Sequence, residues 1–198
     1  NRQIIKLIQK GIIENSANQI YFLTGEAGVG KTRIIDEVLS ELTGRNINFC
    51  RVLVEKDKNV LLKLQETLVR EGYLSQNIIP RTLEDILENI DTTYRKCVII
   101  IDDIHNATIE ILDNIRKLFT YNYSSGLTIL LVGRDDFSVG SMDYFSFLQF
   151  CKENYLSNVI TVEALTDSET IQLIKSIVRG IPQVALEKIH SLSNNLPL

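Results

Sequence analysis

A glycine-rich segment near the amino terminus constrains the fold more than any other feature of this sequence. It is Gly25-Glu26-Ala27-Gly28-Val29-Gly30-Lys31-Thr32, and it lies between a short apolar run, Ile20–Leu23, and an amphipathic run, Thr32–Leu42. A strand, a glycine-rich turn and a helix in this order, with the spacing G-x-x-x-x-G-K-T, are typical of a loop that binds phosphate. The alternative is a chance turn between a strand and a helix, and the full match in this context argues against it.

Each residue type in this loop has a chemical reason to be there. Glycine at 25, 28 and 30 allows the backbone to turn so that successive N–H groups face an anion. The helix that begins near Lys31 adds the positive end of its dipole. We expect Lys31 to reach the β- and γ-phosphates of a nucleotide and the Thr32 hydroxyl to ligate Mg²⁺. The predicted cofactor-binding segment therefore runs through the loop to the next residue, Arg33.

A second motif follows on the third predicted strand. Four apolar residues, Val98–Ile101, lead directly into two carboxylates, Asp102 and Asp103. Ligands of open parallel sheets bind at the carboxyl ends of the strands. We predict that Asp102 holds Mg²⁺ through water and that Asp103 orients and polarises an attacking water. A strand that ends in a turn favouring Asp is the alternative, and the phosphate loop upstream argues against it.

A third candidate lies at the end of the fourth predicted strand. Gly133-Arg134-Asp135 should lie beside the first strand, where the Arg134 guanidinium could pair with phosphate oxygens. The alternative is a solvated arginine paired with Asp135 or Asp136. With this residue, the predicted catalytic set is Lys31, Asp103 and Arg134. His105 closely follows the acidic pair and is interpreted as a polar loop residue, with a place in the lining of the site as the alternative, and His190 is interpreted as a surface residue.

The order of predicted elements indicates an α/β fold with a parallel five-stranded sheet flanked by helices. The uniformly apolar third and fourth strands are suited to the centre of such a sheet. An additional strand between the two motif strands implies the order 5-1-4-3-2. Beyond Thr166 only helices are predicted, so we expect an α/β core over 1–164 and the start of a truncated helical lid over 165–198. The predicted strands are Ile20–Thr24, Asn48–Val54, Cys97–Ile101, Leu127–Val132 and Val159–Val162.

Composition narrows the classes of protein that fit. The 198 residues carry a formal net charge of −4, which is not the basic footprint of a protein that holds nucleic acid by itself. The three cysteines, Cys50, Cys97 and Cys151, form no C-x-x-C pair and are expected to be reduced core thiols of a cytoplasmic protein. No signal peptide or membrane-spanning run is seen. The first residue is Asn1, and we expect an excised domain of a longer protein.

The order of these segments resembles that of AAA+ and STAND ATPases. The resemblance rests on Gly25–Thr32, Ile99–Asp103, Val132–Arg134 and Leu192–Leu198, and it extends to ExeA-type general-secretion ATPases and the transposition ATPases TniB and TnsC. It implies ATP as the nucleotide, Mg²⁺ as the metal and an ATPase that works as a switch or assembly motor in a larger cytoplasmic protein. It also implies that Pro197 packs on the adenine ring, for which an ordinary helix-to-helix turn is the alternative.

Three positions depart from the pattern of these families. Asp103 stands where the ExeA-like group usually has Glu, whereas the STAND group has two aspartates. Leu198 stands where an arginine of the lid is expected, and residues 135–160 contain no arginine, so only Lys152 could act as a finger towards a neighbouring subunit. A protein partner or a homo-oligomer is therefore expected to complete the site. Two alternatives stay open: a nucleotide-binding scaffold or signalling switch with negligible turnover, and a DNA-stimulated transposition or replication ATPase, which the acidic charge does not favour.

Overall fold

Five parallel strands form one sheet at the centre of the molecule. The computed structural model describes residues 2–14, 19–45, 47–56, 59–91, 96–119, 126–135, 141–155, 158–178, 180–193 and 196. The strand order is β2-β3-β4-β1-β5, so the predicted order 5-1-4-3-2, read from the opposite edge, is confirmed. The strands are β1 (Gln19–Thr24), β2 (Ile47–Leu53), β3 (Lys96–Asp102), β4 (Leu127–Val132) and β5 (Val159–Thr161). Strand β1 is paired on both sides: the register places its Phe22 beside Leu131 of β4 on one side and Val159 of β5 on the other.

Helices connect the strands, and two further helices follow the last strand. A short 3-10 helix, Ile104–Asn106, follows β3. The α-helices are α1 (Arg2–Glu14), α2 (Lys31–Leu42), α3 (Val60–Arg70), α4 (Leu83–Glu88), α5 (Ile109–Leu118), α6 (Met142–Asn154), α7 (Asp167–Ile177) and α8 (Gln183–Ser193).

The two faces of the sheet carry separate apolar cores because successive side chains of a strand point to opposite faces. On one face, Tyr21, Leu23 and Ile100 pack with buried residues of α1 and α2. On the other face, Phe22 and Ile101 pack with buried residues of α3, α4, α5 and α6. A sheet covered on both faces explains why β4 is buried along its whole length and β3 at every residue but its first, and why both strands are mainly apolar.

One predicted helix is shorter than its apolar periodicity indicates. The spacing of Leu83, Ile86, Leu87, Ile90 and Tyr94 predicts a helix to residue 94, but α4 ends at Glu88. The Asn89 side chain donates to the Asp85 carbonyl at 2.8 Å, and the Asp91 N–H donates to the Tyr73 carbonyl at 3.0 Å. The first contact occupies a carbonyl of the last helical turn, the second ties Asp91 to the loop after α3, and Ile90 between them is buried. Tyr94 lies outside the described residues.

The topology places the predicted motifs at one edge of the sheet. The chain leaves β1 into the glycine-rich loop, leaves β3 at Asp102 and leaves β4 at Gly133, and all three strands run in the same direction. Strand β4 lies between β1 and β3, so its carboxyl end faces both motifs. The Gly133 N–H donates to the Leu23 carbonyl at 3.0 Å, which fixes the loop after β4 beside β1.

Candidate functional site

The backbone of the glycine-rich loop adopts conformations that favour glycine. Gly25, Gly28 and Gly30 have φ of 147°, 79° and 93°, in the region that L side chains rarely adopt. A Cβ at Gly25 would also collide with the Val162 carbonyl oxygen. The side chain of Val29 is 1% exposed and anchors the loop in the core, whereas Glu26 and Ala27 are exposed. The three glycines therefore leave the backbone of the loop open to close approach by a ligand, between the anchored Val29 and the exposed Glu26 and Ala27.

Lys31 lies at the amino-terminal end of α2, where no side chain caps the first N–H groups. Its Nζ donates to the carbonyl oxygens of Gly25 at 2.8 Å and Glu26 at 2.7 Å. Burial lowers the pKa of Lys31, and the nearby carboxylates of Asp135 and Asp103 act in the opposite direction. Since an ammonium has three donors, Lys31 can hold its loop and still donate to a phosphate.

One open cleft of about 460 Å³ unites residues from the three strand ends. The loop after β3 contributes Asp103, and the loop after β4 contributes Arg134. The glycine-rich loop and α2 supply the remaining lining residues: Ala27, Gly28, Gly30, Lys31, Thr32, Arg33 and Asp36. The structure thus brings the predicted catalytic residues together beside the predicted phosphate-binding loop.

The paired carboxylates after β3 differ in burial and backbone conformation. The Asp102 side chain is 7% exposed, and its Oδ1 accepts the Asp103 N–H at 2.9 Å. Asp103 has φ 56° and ψ 39°, the left-handed conformation, and its side chain is 46% exposed. Asp102 is therefore a fixed, buried carboxylate, and Asp103 is the one that faces the cleft.

The residues around Asp103 and Arg134 pack closely against one another. The Tyr144 hydroxyl of α6 donates to the Arg134 carbonyl oxygen. His105 is 5% exposed, and its Nδ1 lies 3.9 Å from Asp103 Oδ1. The prediction of His105 as a polar loop residue is wrong, because the 3-10 helix turns the imidazole inward towards the Tyr144 ring, at 6.2 Å between centroids. His190 is partly exposed, with its Nε2 3.2 Å from Asp167 Oδ1.

The chemistry of the donor set fits the magnesium ion of a nucleotide complex. The described residues include no group of three His, Cys, Asp or Glu side chains that could hold a metal by themselves. Mg²⁺ is often bound by one or two protein oxygens together with phosphates and water. The Thr32 hydroxyl and the Asp102 carboxylate are ligands of that kind, and Asp102 Oδ1, which accepts the Asp103 N–H, has a second lone pair that can accept from a metal-bound water.

A second cleft of about 480 Å³ continues from the first. Gly30 and Arg33 line both, and the second cleft opens between α1, α2 and α7. Leu196 approaches the loop from the carboxyl-terminal side, since a Cβ at Gly28 would lie 3.3 Å from Leu196 Cδ1. Pro197 lies outside the described residues. The residues specific to the second cleft are Arg2, Ile5, Ile34, Glu37, Leu165, Glu169, Gln172, Leu173 and Ser176.

Sequence reasoning missed an ion-pair chain beneath the first cleft. Arg51 on β2 donates to Asp102 of β3 and to Asp36 of α2. The available signal was an arginine between Cys50 and Val52, in the interior of a strand otherwise suited to burial. Charged residues in such positions usually have a partner, but the sequence does not reveal which carboxylate it is.

The glycine-rich loop follows β1 and the carboxylate pair follows β3, with β4 between these two strands. In a sheet of this order, the two features define a P-loop nucleotide-binding module. The comparison with family models agrees: the model described as "AAA domain" matches residues 14–138, more than half of the chain. The chain belongs to this AAA domain family. No curated protein gives a significant match. Among the described residues, no helix has the length and apolar character needed to span a membrane.

Proposed function

We propose that this module binds and hydrolyses ATP with Mg²⁺ and acts as a nucleotide-dependent switch or assembly motor in a larger cytoplasmic protein, in the manner of ExeA-type, TniB/TnsC-type or STAND ATPases. The observation that carries the proposal is the single cleft shared by the phosphate-binding loop, Asp103 and Arg134. A loop and a lysine alone would support binding. The carboxylate and the guanidinium at the same cleft are what hydrolysis requires.

The proposed reaction is in-line attack of water on the γ-phosphorus, with ADP as the leaving group and phosphate as the second product. The N–H groups of the loop and the Lys31 ammonium bind the phosphates and stabilise the developing negative charge. Asp103 accepts a hydrogen bond from the water and orients it, and Arg134 donates to the γ-phosphate oxygens. Mg²⁺, held by Thr32 and through water by Asp102, would supply further charge neutralisation.

The second cleft is the proposed site of the base and ribose. It adjoins the phosphate cleft through Gly30 and Arg33, and it offers apolar side chains such as Ile5 and Leu173 beside the polar Gln172. A mixed lining of this kind suits a flat heterocycle with a polar edge. Adenine is proposed over guanine on family grounds, and contact with Pro197 remains part of the proposal.

The proposed switch is the carboxyl-terminal segment, 165–198, moving against the core, 1–164. The α7 residues Glu169 and Gln172 line the second cleft, and Leu196 lies against Gly28. A nucleotide in these clefts would contact both segments, so their relative angle would depend on whether ADP or ATP is bound. A protein partner or a second copy of the chain would detect that angle.

A scaffold with negligible turnover is the second candidate, and one observation favours it. Residues 135–160 contain no arginine, and Lys152 is exposed near the end of α6. If no neighbouring subunit supplies a cation, stabilisation of the transition state is left to Lys31, Arg134 and Mg²⁺. Hydrolysis would then be slow, and bound ATP would act as a structural ligand.

The experiment compares binding with turnover in two variants. Lys31→Ala should lose at least tenfold in MgATP affinity because it removes a charge-assisted donor to the phosphates. Asp103→Asn should bind MgATP within about threefold of wild type and lose roughly 100-fold or more in phosphate release, since it removes the group that polarises water. Isothermal titration and phosphate release at several protein concentrations measure the two quantities.

Lys6→Ala, which removes an exposed lysine of α1, is the matched control and should change neither quantity. Normal ATP affinity and turnover in Lys31→Ala would show that the site assignment is wrong. Tight binding by the wild type without phosphate release at any concentration would select the scaffold. Stimulation of release by duplex DNA would select the DNA-dependent alternative.

A further inference from the structure

Arg51 links the buried carboxylate of the site to a second carboxylate on α2. Its Nε lies 3.2 Å from Asp102 Oδ2, and its Nη2 donates to the same oxygen. Its Nη1 lies 3.1 Å from Asp36 Oδ1, one helical turn beyond Thr32. The guanidinium therefore bridges β3 and α2 directly beside the two proposed ligands of Mg²⁺.

Burial shows which of the two ion pairs matters more. The Asp102 side chain is 7% exposed, the Arg51 side chain 35% and the Asp36 side chain 59%. A buried carboxylate without a cation is strongly destabilised, whereas an exposed pair contributes little. Arg51 is thus the protein's own counter-ion for Asp102, and Asp36 accepts a hydrogen bond from the other end of the guanidinium.

This arrangement has a consequence for a nucleotide without its metal. A triphosphate in the cleft would lie close to the carboxylates of Asp102 and Asp103, and like charges repel more strongly where water is partly excluded. Mg²⁺ normally offsets that repulsion. With Arg51 on Asp102, one carboxylate is already neutralised before any metal arrives.

We infer that Arg51 is a positioning residue that sets how strongly nucleotide affinity depends on Mg²⁺. It occupies Oδ2 of Asp102 and leaves Oδ1, which also accepts the Asp103 N–H, for a metal-bound water. The carboxylate keeps one orientation with or without the metal, and nucleotide remains bound when the metal leaves. The inference rests on the proposed nucleotide binding, and it adds that Arg51 maintains nucleotide affinity when Mg²⁺ is absent.

The test is the ratio of the ATP dissociation constants measured in EDTA and in excess Mg²⁺. Arg51→Met keeps much of the side-chain length and removes the charge. Its affinity in EDTA should fall about tenfold, while its affinity in Mg²⁺ changes less than threefold, so the ratio rises about tenfold. Arg51→Lys keeps a positive charge and should stay within about threefold of the wild-type ratio. When ADP is titrated in the same way, the variants should rank in the same order by the ratio of their dissociation constants in EDTA and in Mg²⁺.

Controls separate this role from a merely structural one. Arg70→Met removes an exposed arginine of α3 that pairs with Glu71, and it should leave the ratio unchanged. If Arg51→Met is too unstable to purify, Arg51→Gln carries the same test. An equal loss of affinity in EDTA and in Mg²⁺, or an unchanged ratio, would overturn the inference while the wild type still binds ATP. A wild type that binds no nucleotide under either condition would instead overturn the proposed function.

Discussion

At the scale of single residues, the backbone conformation at position 103 favours a short polar side chain such as that of Asp. Asp103 is the only non-glycine residue with positive φ among the described residues. Asp and Asn are enriched in this left-handed region, whereas longer side chains adopt it less often. The choice of Asp at this position therefore has a conformational reason, because the 3-10 helix that buries His105 begins with this turn.

The left-handed turn predicts the order of stability of two variants. Asp103→Ala places a Cβ in a conformation that costs an L residue roughly 1–2 kcal/mol, whereas Asp103→Gly adopts it freely and gains entropy only in the unfolded state. Asp103→Gly should therefore be more stable than Asp103→Ala by about 1 kcal/mol. Urea unfolding followed by circular dichroism measures the difference.

Both variants remove the same carboxylate, so electrostatic effects cancel in the comparison. The same pair of substitutions at Ser146, an exposed position within helix α6, is a control that should show the opposite order, because glycine weakens helix interiors. Equal stabilities of the two Asp103 variants, or a more stable alanine variant, would mean that residue 103 is not left-handed in solution.

At the scale of elements, the site depends on how closely α6 approaches the end of β4. Tyr144 is fully buried, and its hydroxyl lies so close to residue 133 that a Cβ there would collide with it. Ile104 Cγ2 would be 2.9 Å from the same Cβ. Gly133 is thus needed for space, and the contact it permits lets Tyr144 hold the Arg134 carbonyl.

This close contact predicts coupling between Gly133 and Tyr144. Gly133→Ala should destabilise the protein by roughly 1–3 kcal/mol, since extra volume in a packed interior forces neighbours apart. Tyr144→Phe removes the hydroxyl, which is the nearest obstacle. The double variant should therefore be less destabilised than the sum of the single variants, by at least about 0.5 kcal/mol.

Thermal or urea unfolding of the four proteins completes this double-mutant cycle. Strict additivity would contradict the arrangement, because it would mean that the added methyl group does not meet the hydroxyl. Tyr155→Phe, which removes the hydroxyl of a tyrosine beyond the end of α6, is the matched control and should show no coupling to Gly133→Ala.

At the scale of the whole molecule, the sequence was sufficient for the fold and for most of the cleft. Strand periodicity, the glycine-rich spacing and the separation of the two motifs predicted the parallel sheet and its order, and β4 has the predicted bounds. These features are local patterns, or follow from connectivity, and can be read from one chain.

What the sequence could not supply depends on contacts between distant segments. The Arg51 bridge joins residues far apart in the chain, and the second cleft needs α1 and α7 to meet beside α2. The burial of His105 follows from the turn at Asp103, for which the sequence shows no separate signal. Residue roles in catalysis and the division at 164 remain predictions.

Two cysteines on different elements report on the stability of the core on one face of the sheet. Cys50 of β2 and Cys151 of α6 are buried, and burial raises the pKa of each thiol to about 12. At pH 8 roughly one such thiol in 10⁴ is ionised, and the thiolate is the reactive form. Labelling of the native protein by a thiol reagent should therefore require unfolding, and both cysteines should react with similar slow rates.

Nucleotide should slow this labelling in proportion to its binding free energy. MgATP at 100 times its dissociation constant stabilises the native state by about 2.7 kcal/mol, which lowers the unfolded fraction about 100-fold. When refolding is faster than labelling, both cysteines should then react about 100-fold more slowly, as mass spectrometry of each peptide would show. Lys31→Ala should show little protection, because it binds weakly. Protection of Cys151 without protection of Cys50 would show that α6 and β2 open separately. Protection of Lys31→Ala equal to that of the wild type would place the nucleotide outside the cleft.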